Sequence, residues 1–260
     1  MQTIEISLYG MTGIYLMLLI PFGLMLWLKL GMIRESLFAV LRMTAQLFLV
    51  GLYLDVIFDL SSTLLNTVWI CIMLITANLS VLSRSGLSIR RMFAVTIVST
   101  AFSTSLLTAL FIIGILRTSP ANARYLIPVF GMILGNCMRG NVILLERFYS
   151  GIRENEMEFT TYRLLGATLF EAIRPYLRRS VKASVSPYIS TMATMGIVSL
   201  PGMLTGQILG GALPMNAIKY QIAIMVCIFS ATFLAATLNV LFSTMVAFDG
   251  SGMLRQDVFS

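Results

Sequence analysis

The chain has 260 residues, of which 58% are hydrophobic and only 11% charged, and its mean hydropathy is +0.90. This composition, with its long uncharged runs, excludes an ordinary soluble domain and places the chain among integral membrane proteins. The net charge of +7 requires no nucleic-acid partner, because basic loops beside membrane helices account for it.

In chain order, uncharged runs cover Ile6 to Leu28, Leu60 to Ser83, Met92 to Leu116, Ala183 to Ile218 and Tyr220 to Phe248. Each reaches the roughly 20 residues that a helix needs to cross about 30 Å of hydrocarbon. Ser36 to Leu54 is apolar apart from Arg42, and Tyr125 to Leu145 apart from Arg139, which adds two spans. The expected fold is therefore an all-α integral membrane protein of about seven transmembrane helices, forming one transmembrane domain over residues 1–260. The first and fourth helices read as simple spans.

No Lys or Arg precedes Lys29, so the first segment lacks the basic start of a secretory signal and is expected to stay as a helix. Basic residues mark one side: Lys29 and Arg34, then Arg84, Arg90 and Arg91, then the seven from Arg147 to Lys182. The opposite loops carry Glu5, then Asp55 and Asp59, then Arg117 and Arg124, and end in an uncharged turn near Leu213. The basic excess puts the N-terminus outside and the C-terminus in the cytoplasm.

Cys71, Cys137 and Cys227 fall inside predicted spans, with no C-x-x-C pair and no His in the chain, and read as buried inert thiols. The 18 Met residues are spread over nearly every helix and read as packing. On the fifth helix Asn136 and Arg139 lie three apart and share a face, with Met132 one turn earlier. A charge at membrane depth costs several kcal/mol, about 2.5 to well over 10, unless it is paired or watered. A structural pair and a substrate contact both satisfy Arg139, and Met132, Asn136, Arg139 and Gln207 are the candidate pathway residues. Asn78, Gln46 and Gln221 read as interhelical hydrogen-bond partners.

The run from Ala183 to Ile218 is too long for one straight span and holds "MGIVSLPGMLTGQILGGALP". It predicts a break or kink near Pro201 and a turn between Gly210 and Pro214. Gly202, Gly206 and Gly210 recur every four residues, as do Gly131 and Gly135 on the fifth helix. Such faces admit close helix packing, and the same faces suit sliding during gating.

The charged segment from Arg147 to Lys182 predicts two short helices. Glu154 to Leu165 has helical propensity and Gly166 ends it, while Thr168 with Glu171 three residues later has the spacing of a capping box that starts the next. Leu169, Ile173, Tyr176 and Leu177 form its apolar face. This hairpin suits either the lipid interface or a cleft on a cytoplasmic partner.

A Gly-Ala-Thr turn between two such helices resembles the cytoplasmic coupling loop of ABC-transporter permeases, although Thr160, Thr161 and Tyr162 stand where that loop has Glu-Ala-Ala. "IPVFGMILGNCM" (Ile127 to Met138), "LLGAT" (Leu164 to Thr168), "VSLPGMLTGQILGG" (Val198 to Gly211) and "AIKYQI" (Ala217 to Ile222) resemble the FetB-like permeases in the same order. Arg139 and Asn141 depart from the small or apolar residues of that family. The resemblance implies a permease subunit in the cell membrane, bathed in lipid, that exports iron or another metal or metal complex. It implies a cytoplasmic ABC ATPase partner and a homodimer of the permease. Arg163, Leu164, Leu165, Gly166, Ala167, Thr168 and Glu171 then form the coupling contact, with Gly131, Gly135, Pro201, Gly202, Gly206 and Gly210 as packing or gating positions.

None of Lys29, Lys182 and Lys219 sits in a phosphate loop, so ATP and Mg belong to the partner subunit and this chain holds no cofactor and no ATPase of its own. The alternative is an ion-gradient-driven secondary transporter of a small solute, anionic or otherwise. It predicts inverted repeats and central carboxylates, and neither is evident.

Overall fold

The computed structural model describes residues 7–60, 62–119 and 122–259, and among them the fold is helical throughout, with only isolated bridges. Glu5 and the side chains of Asp55 and Asp59, which entered the loop-charge argument, lie outside the described residues. Two compact units are present: the chain up to Leu60 with Leu209–Gly211, and Ser61–Ile208 with Ala212 onward.

In the first unit α1 (Leu8–Leu16), α2 (Leu19–Trp27) and α3 (Ile33–Leu60) follow one another. The simple first span is corrected here, because a turn at Met17 and Leu18 divides it. Pro21 explains the break: it has no N–H to offer the Met17 carbonyl, and its ring crowds that carbonyl. The Met17 and Leu18 amides bond instead three residues back, to Ile14 and Tyr15. Tyr15 and Thr44 share a hydroxyl hydrogen bond of 2.7 Å between α1 and α3.

The second unit holds α4 (Thr63–Ser85), α5 (Ile89–Ala109), α6 (Ala123–Glu154), α7 (Glu156–Leu164), α8 (Leu169–Thr194), α9 (Gly202–Leu209) as far as Ile208, and α10 (Pro214–Ala247). α5 is not simple either, since it runs on as a π-helical turn over Leu110–Ile115. α6 begins at the Asn122 cap, whose side chain accepts from the Arg124 amide, and continues nine residues past the expected end at Leu145. Its 32 residues span about 48 Å, so more than one turn extends beyond a 30 Å apolar slab.

Six stretches among the described residues are long and apolar enough to cross a membrane: Tyr9–Trp27, Ile33–Tyr53, Thr63–Ser85, Ile89–Ile115, Ala123–Glu154 and Pro214–Ala247. The expected seventh, Ala183 to Ile218, is no single helix. Its first part belongs to α8, which begins back at Leu169, and α9 starts only after an irregular link and Pro201. α8 nevertheless runs the length of the bundle. Its start is tied to the segment after α10 through Arg163, and beyond its end Met195 accepts a hydrogen bond from Gln221 near the start of α10.

Two apolar clusters fill the ends of this bundle. Near α7, Leu82, Leu87, Met92, Leu144, Phe148, Ile152, Phe159 and Val258 pack together. At the far end Phe111, Ile112, Val129, Ile133, Ile224 and Ile228 do the same. A smaller cluster joins α4 and α6 through Leu74, Ala77, Phe130 and Leu134. Cys137 and Cys227 are buried as expected, whereas Cys71 is exposed on the outer face of α4.

Candidate functional site

The α7–α8 turn is built by local backbone chemistry. Gly166 takes φ +91°, and the Gly166 and Ala167 amides reach back to the carbonyls of Arg163 and Tyr162, both at 3.1 Å. This left-handed closure satisfies carbonyls that the end of α7 leaves free, and it favours Gly because no Cβ resists the positive φ. Two residues later the capping box is complete. The Thr168 amide and hydroxyl donate to Glu171 Oε2 at 2.8 and 2.7 Å, and the Glu171 amide donates to Thr168 Oγ1 at 3.3 Å.

Among the expected coupling residues, Arg163 and Ala167 are half-buried, and Leu164, Leu165, Gly166, Thr168 and Glu171 form the outer surface. Arg163 Nη1 donates to the Ala167 carbonyl at 2.6 Å and Nη2 to the Ser251 carbonyl at 2.8 Å. Leu164 and Leu165 project outward, 83% and 80% exposed, beside Met157 at 85%. A shallow groove of about 570 Å³ at the α6–α7 corner is lined by Glu154, Asn155, Met157, Glu158, Thr161, Tyr162 and Leu165. The surface offered is thus apolar at its tip and acidic at its edge.

The segment after α10, absent from the sequence reasoning, ties this turn to the rest of the bundle. Asp249 Oδ1 accepts from the Ser251 and Met253 amides at 3.0 and 2.9 Å, which folds Asp249 to Met253 into a tight turn against Arg163. These bonds, led by that from the Ser251 hydroxyl, hold the Asp249 carboxyl below its usual 3.8. Further on, the Val258 carbonyl accepts from the Ser88 amide at 2.8 Å, Asp257 pairs with Arg91 at 2.5 Å, and the Arg153 guanidinium lies over the Phe259 ring at 4.9 Å. The signal was present in Asp249-Gly-Ser-Gly, a turn composition that follows the last span.

Of the candidate pathway residues, Met132, Asn136 and Arg139 are brought together. Asn136 Nδ2 donates to the Met132 carbonyl at 2.7 Å, Arg139 Nη2 donates to Asn136 Oδ1 at 3.1 Å, and Tyr188 on α8 donates to the Asn136 carbonyl at 2.6 Å. Arg139 itself is exposed, on the outside of the bundle. Gln207 lies half-buried on α9, and its side chain makes no hydrogen bond to that group among the described residues.

The glycine faces divide. A Cβ at Gly131 would meet the Met73 methyl at 3.0 Å, so α4 and α6 touch closely there, whereas Gly135, Gly202 and Gly206 have nothing within 4 Å. Pro201 precedes α9 and Gly210 follows it, exposed, in the turn toward Pro214.

The interior between the two apolar clusters is polar. Thr96, Ser99, Thr100, Ser103, Thr104 and Thr108 are all buried on one face of α5. Asn141 Nδ2 of α6 and Asn239 Nδ2 of α10 both donate to Thr100 Oγ1, at 3.3 and 3.4 Å. The Oδ1 atoms of Asn141 and Asn239, and both amide atoms of Asn78, are buried without a partner. Each such atom costs about 1–3 kcal/mol if left dry. The sequence reads Asn78 as an interhelical hydrogen-bond partner, which its unpaired amide corrects, and Asn141 only as a departure from the family; the hydroxyl spacing on α5 was the available signal.

The profile of an uncharacterised protein family, UPF0014, matches residues 8–248. The chain belongs to this family. A UPF0014 membrane protein of Synechocystis is 36% identical over 204 residues, covering 78% of this chain and 79% of the relative. The UPF0014 membrane protein YjkA of Bacillus subtilis is 32% identical over 199 residues, 75% and 77% of the two chains. A protein described as the probable iron export permease protein FetB, from Escherichia coli, is 32% identical over 199 residues, 75% and 74% of the two chains. No solved structure matches. Membership and the six apolar stretches together make this UPF0014 chain a multi-pass membrane protein.

Proposed function

We propose that this chain is the membrane permease subunit of an ATP-driven transporter of the cell membrane, and that it exports iron or another metal or metal complex. A separate cytoplasmic ATPase subunit binds ATP and Mg, and two permease copies make the working assembly. The observation that carries the reading is the α7–α8 turn: a rigid, capped corner that presents Leu164 and Leu165 outward, with the side chain behind it anchored by Arg163. Apolar side chains left this exposed at the end of a bundle, on a turn locked by its own hydrogen bonds, suit a cleft on a partner. The similarity to the FetB relative supports a permease with iron as cargo.

In this reading the N-terminus is outside, and α8 crosses as the seventh span. The α4–α5 link, the α7–α8 turn and the residues after α10 share the cytoplasmic end. Closure of the ATPase pushes the Leu164–Thr168 turn, and α8, continuous from Leu169 to Thr194, carries the displacement through the membrane.

The test is co-expression with the ATPase encoded beside the gene, purification of the complex, and measurement of ATP hydrolysis. The wild-type chain is expected to co-purify and to raise hydrolysis. L164D/L165D is expected to lose both while melting as wild type, because both side chains are already exposed. No complex with the wild type, or an undiminished one with the double variant, rejects the reading. Metal efflux from vesicles without ATP, driven by a gradient alone, favours the secondary transporter instead.

A further inference from the structure

We infer that the polar interior around Thr100, Asn141 and Asn239 is an occluded cargo site for a hard, partly hydrated divalent cation. The inference rests on the permease reading for what the cargo then does, but the binding it asserts stands on the interior alone.

Depth comes first. Thr100 lies eight residues along α5 from Met92, about 12 Å, and eleven from Phe111, about 16 Å. Met92 belongs to the apolar cluster near α7 and Phe111 to the one at the far end. The polar stretch of α5 is therefore sealed at both ends by apolar side chains and sits midway between them. Asn78 stands at the same level, since the neighbouring Ala77 packs in one cluster with Ala101, next to Thr100, and Met138, one turn before Asn141.

The pattern of hydrogen bonds then separates a site from simple packing. Helices held together by polar residues spend those groups across the interface. Here most are turned back on their own helix: Thr96 donates to Met92, Ser99 to Val95, Ser103 to Ser99 and Thr104 to Thr100, while on α10 Ser243 donates to Val240 and Thr244 to Leu241. Of the hydrogen bonds here, those converging on Thr100 cross between helices, and at 3.3 and 3.4 Å they are long. Parting α5 from α10 orphans almost nothing and lets water reach hydroxyls that already line the seam.

The unpaired atoms give the ligand its sign. Asn141 Oδ1 and Asn239 Oδ1 are acceptors without donors, in residues 0% and 1% exposed. An anion would add acceptors to acceptors, whereas a cation supplies what both lack. Amide and hydroxyl oxygens suit hard ions rather than soft ones. Asn78 Oδ1 is unpaired as well, as is its Nδ2, and a water retained on the ion donates to that oxygen. Arg139 is exposed on α6 and opens onto the outside, not into this interior.

The test is Mn²⁺ binding to the purified full-length chain in lipid nanodiscs, read by loss of the free-ion EPR signal, with no partner subunit present. Among the described residues no group of three or more His, Cys, Asp or Glu competes for the metal. Saturable binding by the wild type is expected, weakened at least tenfold in N141L/N239L and in the nearly isosteric T100V. The melting temperature of these variants is expected to hold or rise, because a buried polar node gives way to apolar contacts. Absence of saturable binding by the wild type overturns the inference, as does unchanged affinity in T100V. Should N141L/N239L not fold, T100V decides alone. A wild type that binds Mn²⁺ but never raises ATP hydrolysis leaves the site standing and rejects the permease reading; the converse result does the opposite.

Discussion

Arg163 and Gly252 occupy adjoining space: a Cβ built on Gly252 would lie 2.8 Å from Arg163 Cζ, and Gly252 itself holds φ +78°. The guanidinium that braces the α7–α8 turn therefore has its place only because residue 252 has no side chain. Gly252→Ala is expected to destabilise the chain through both the clash and the left-handed backbone, the latter about 1–2 kcal/mol. In an R163A background the same substitution should cost less, since only the backbone term remains. Thermal melts of the four proteins in detergent measure this; equal costs in both backgrounds would show that the two residues do not interact.

The capping box makes the second helix of the turn acid-sensitive. Hydrogen bonds from the Thr168 hydroxyl and then from its amide lower the Glu171 carboxyl below its usual 4.5. The ionised form is thus the one the folded turn prefers. Its contribution is complete above about pH 4.5 and disappears as pH falls through the lower folded value. Amide exchange at Leu169 to Ala172 should accelerate in that window for the wild type, after correction for intrinsic rates. In T168A the same amides should exchange faster at neutral pH and respond less to acid.

α6 and α10 meet at Gly140, where a Cβ would stand 2.7 Å from the Thr232 methyl. Thr232 is β-branched and fully buried, so its methyl has no free rotamer to escape into. G140A should cost about 1–3 kcal/mol by overpacking. G140A/T232S, which deletes the obstructing methyl, should recover most of it. A melting temperature for the double variant no higher than for G140A would contradict the contact.

Two neighbours in the last segment should behave oppositely. Asp257 pairs with Arg91 in the open, the side chains being 47% and 44% exposed, and D257A is expected to change stability by less than about 1 kcal/mol. Val258 is fully buried beneath Leu87, and V258D is expected to detach the segment, placing a charge in an apolar cluster. Limited proteolysis after Ala247 would read both: wild-type resistance in D257A, cleavage in V258D.

Much of this was legible in the linear chain, because the features concerned are set by residues close in sequence. The positions of most helices follow from apolar runs, though not the ends of α6 and α8; the break near Pro201 follows from the missing N–H, and the Gly166 turn and Thr168–Glu171 cap from groups three or four residues apart. The Met17 break depended on Pro21 within the same kind of range and was legible in principle. What lay beyond reach was which distant groups converge. Arg139 draws attention by its charge, yet it faces out, while Thr100, Asn141 and Asn239 are unremarkable singly and meet only when three helices pack. The brace from Arg163 to Ser251 joins residues 88 positions apart, a closure that no local pattern encodes. The sequence by itself determined a helical membrane protein with a capped turn in its charged segment, since hydrophobicity and hydrogen-bond range are local quantities. Only the tertiary structure decided which polar groups are sealed inside and which cross-chain contacts hold the turn, since burial and long-range pairing belong to the packed helices together.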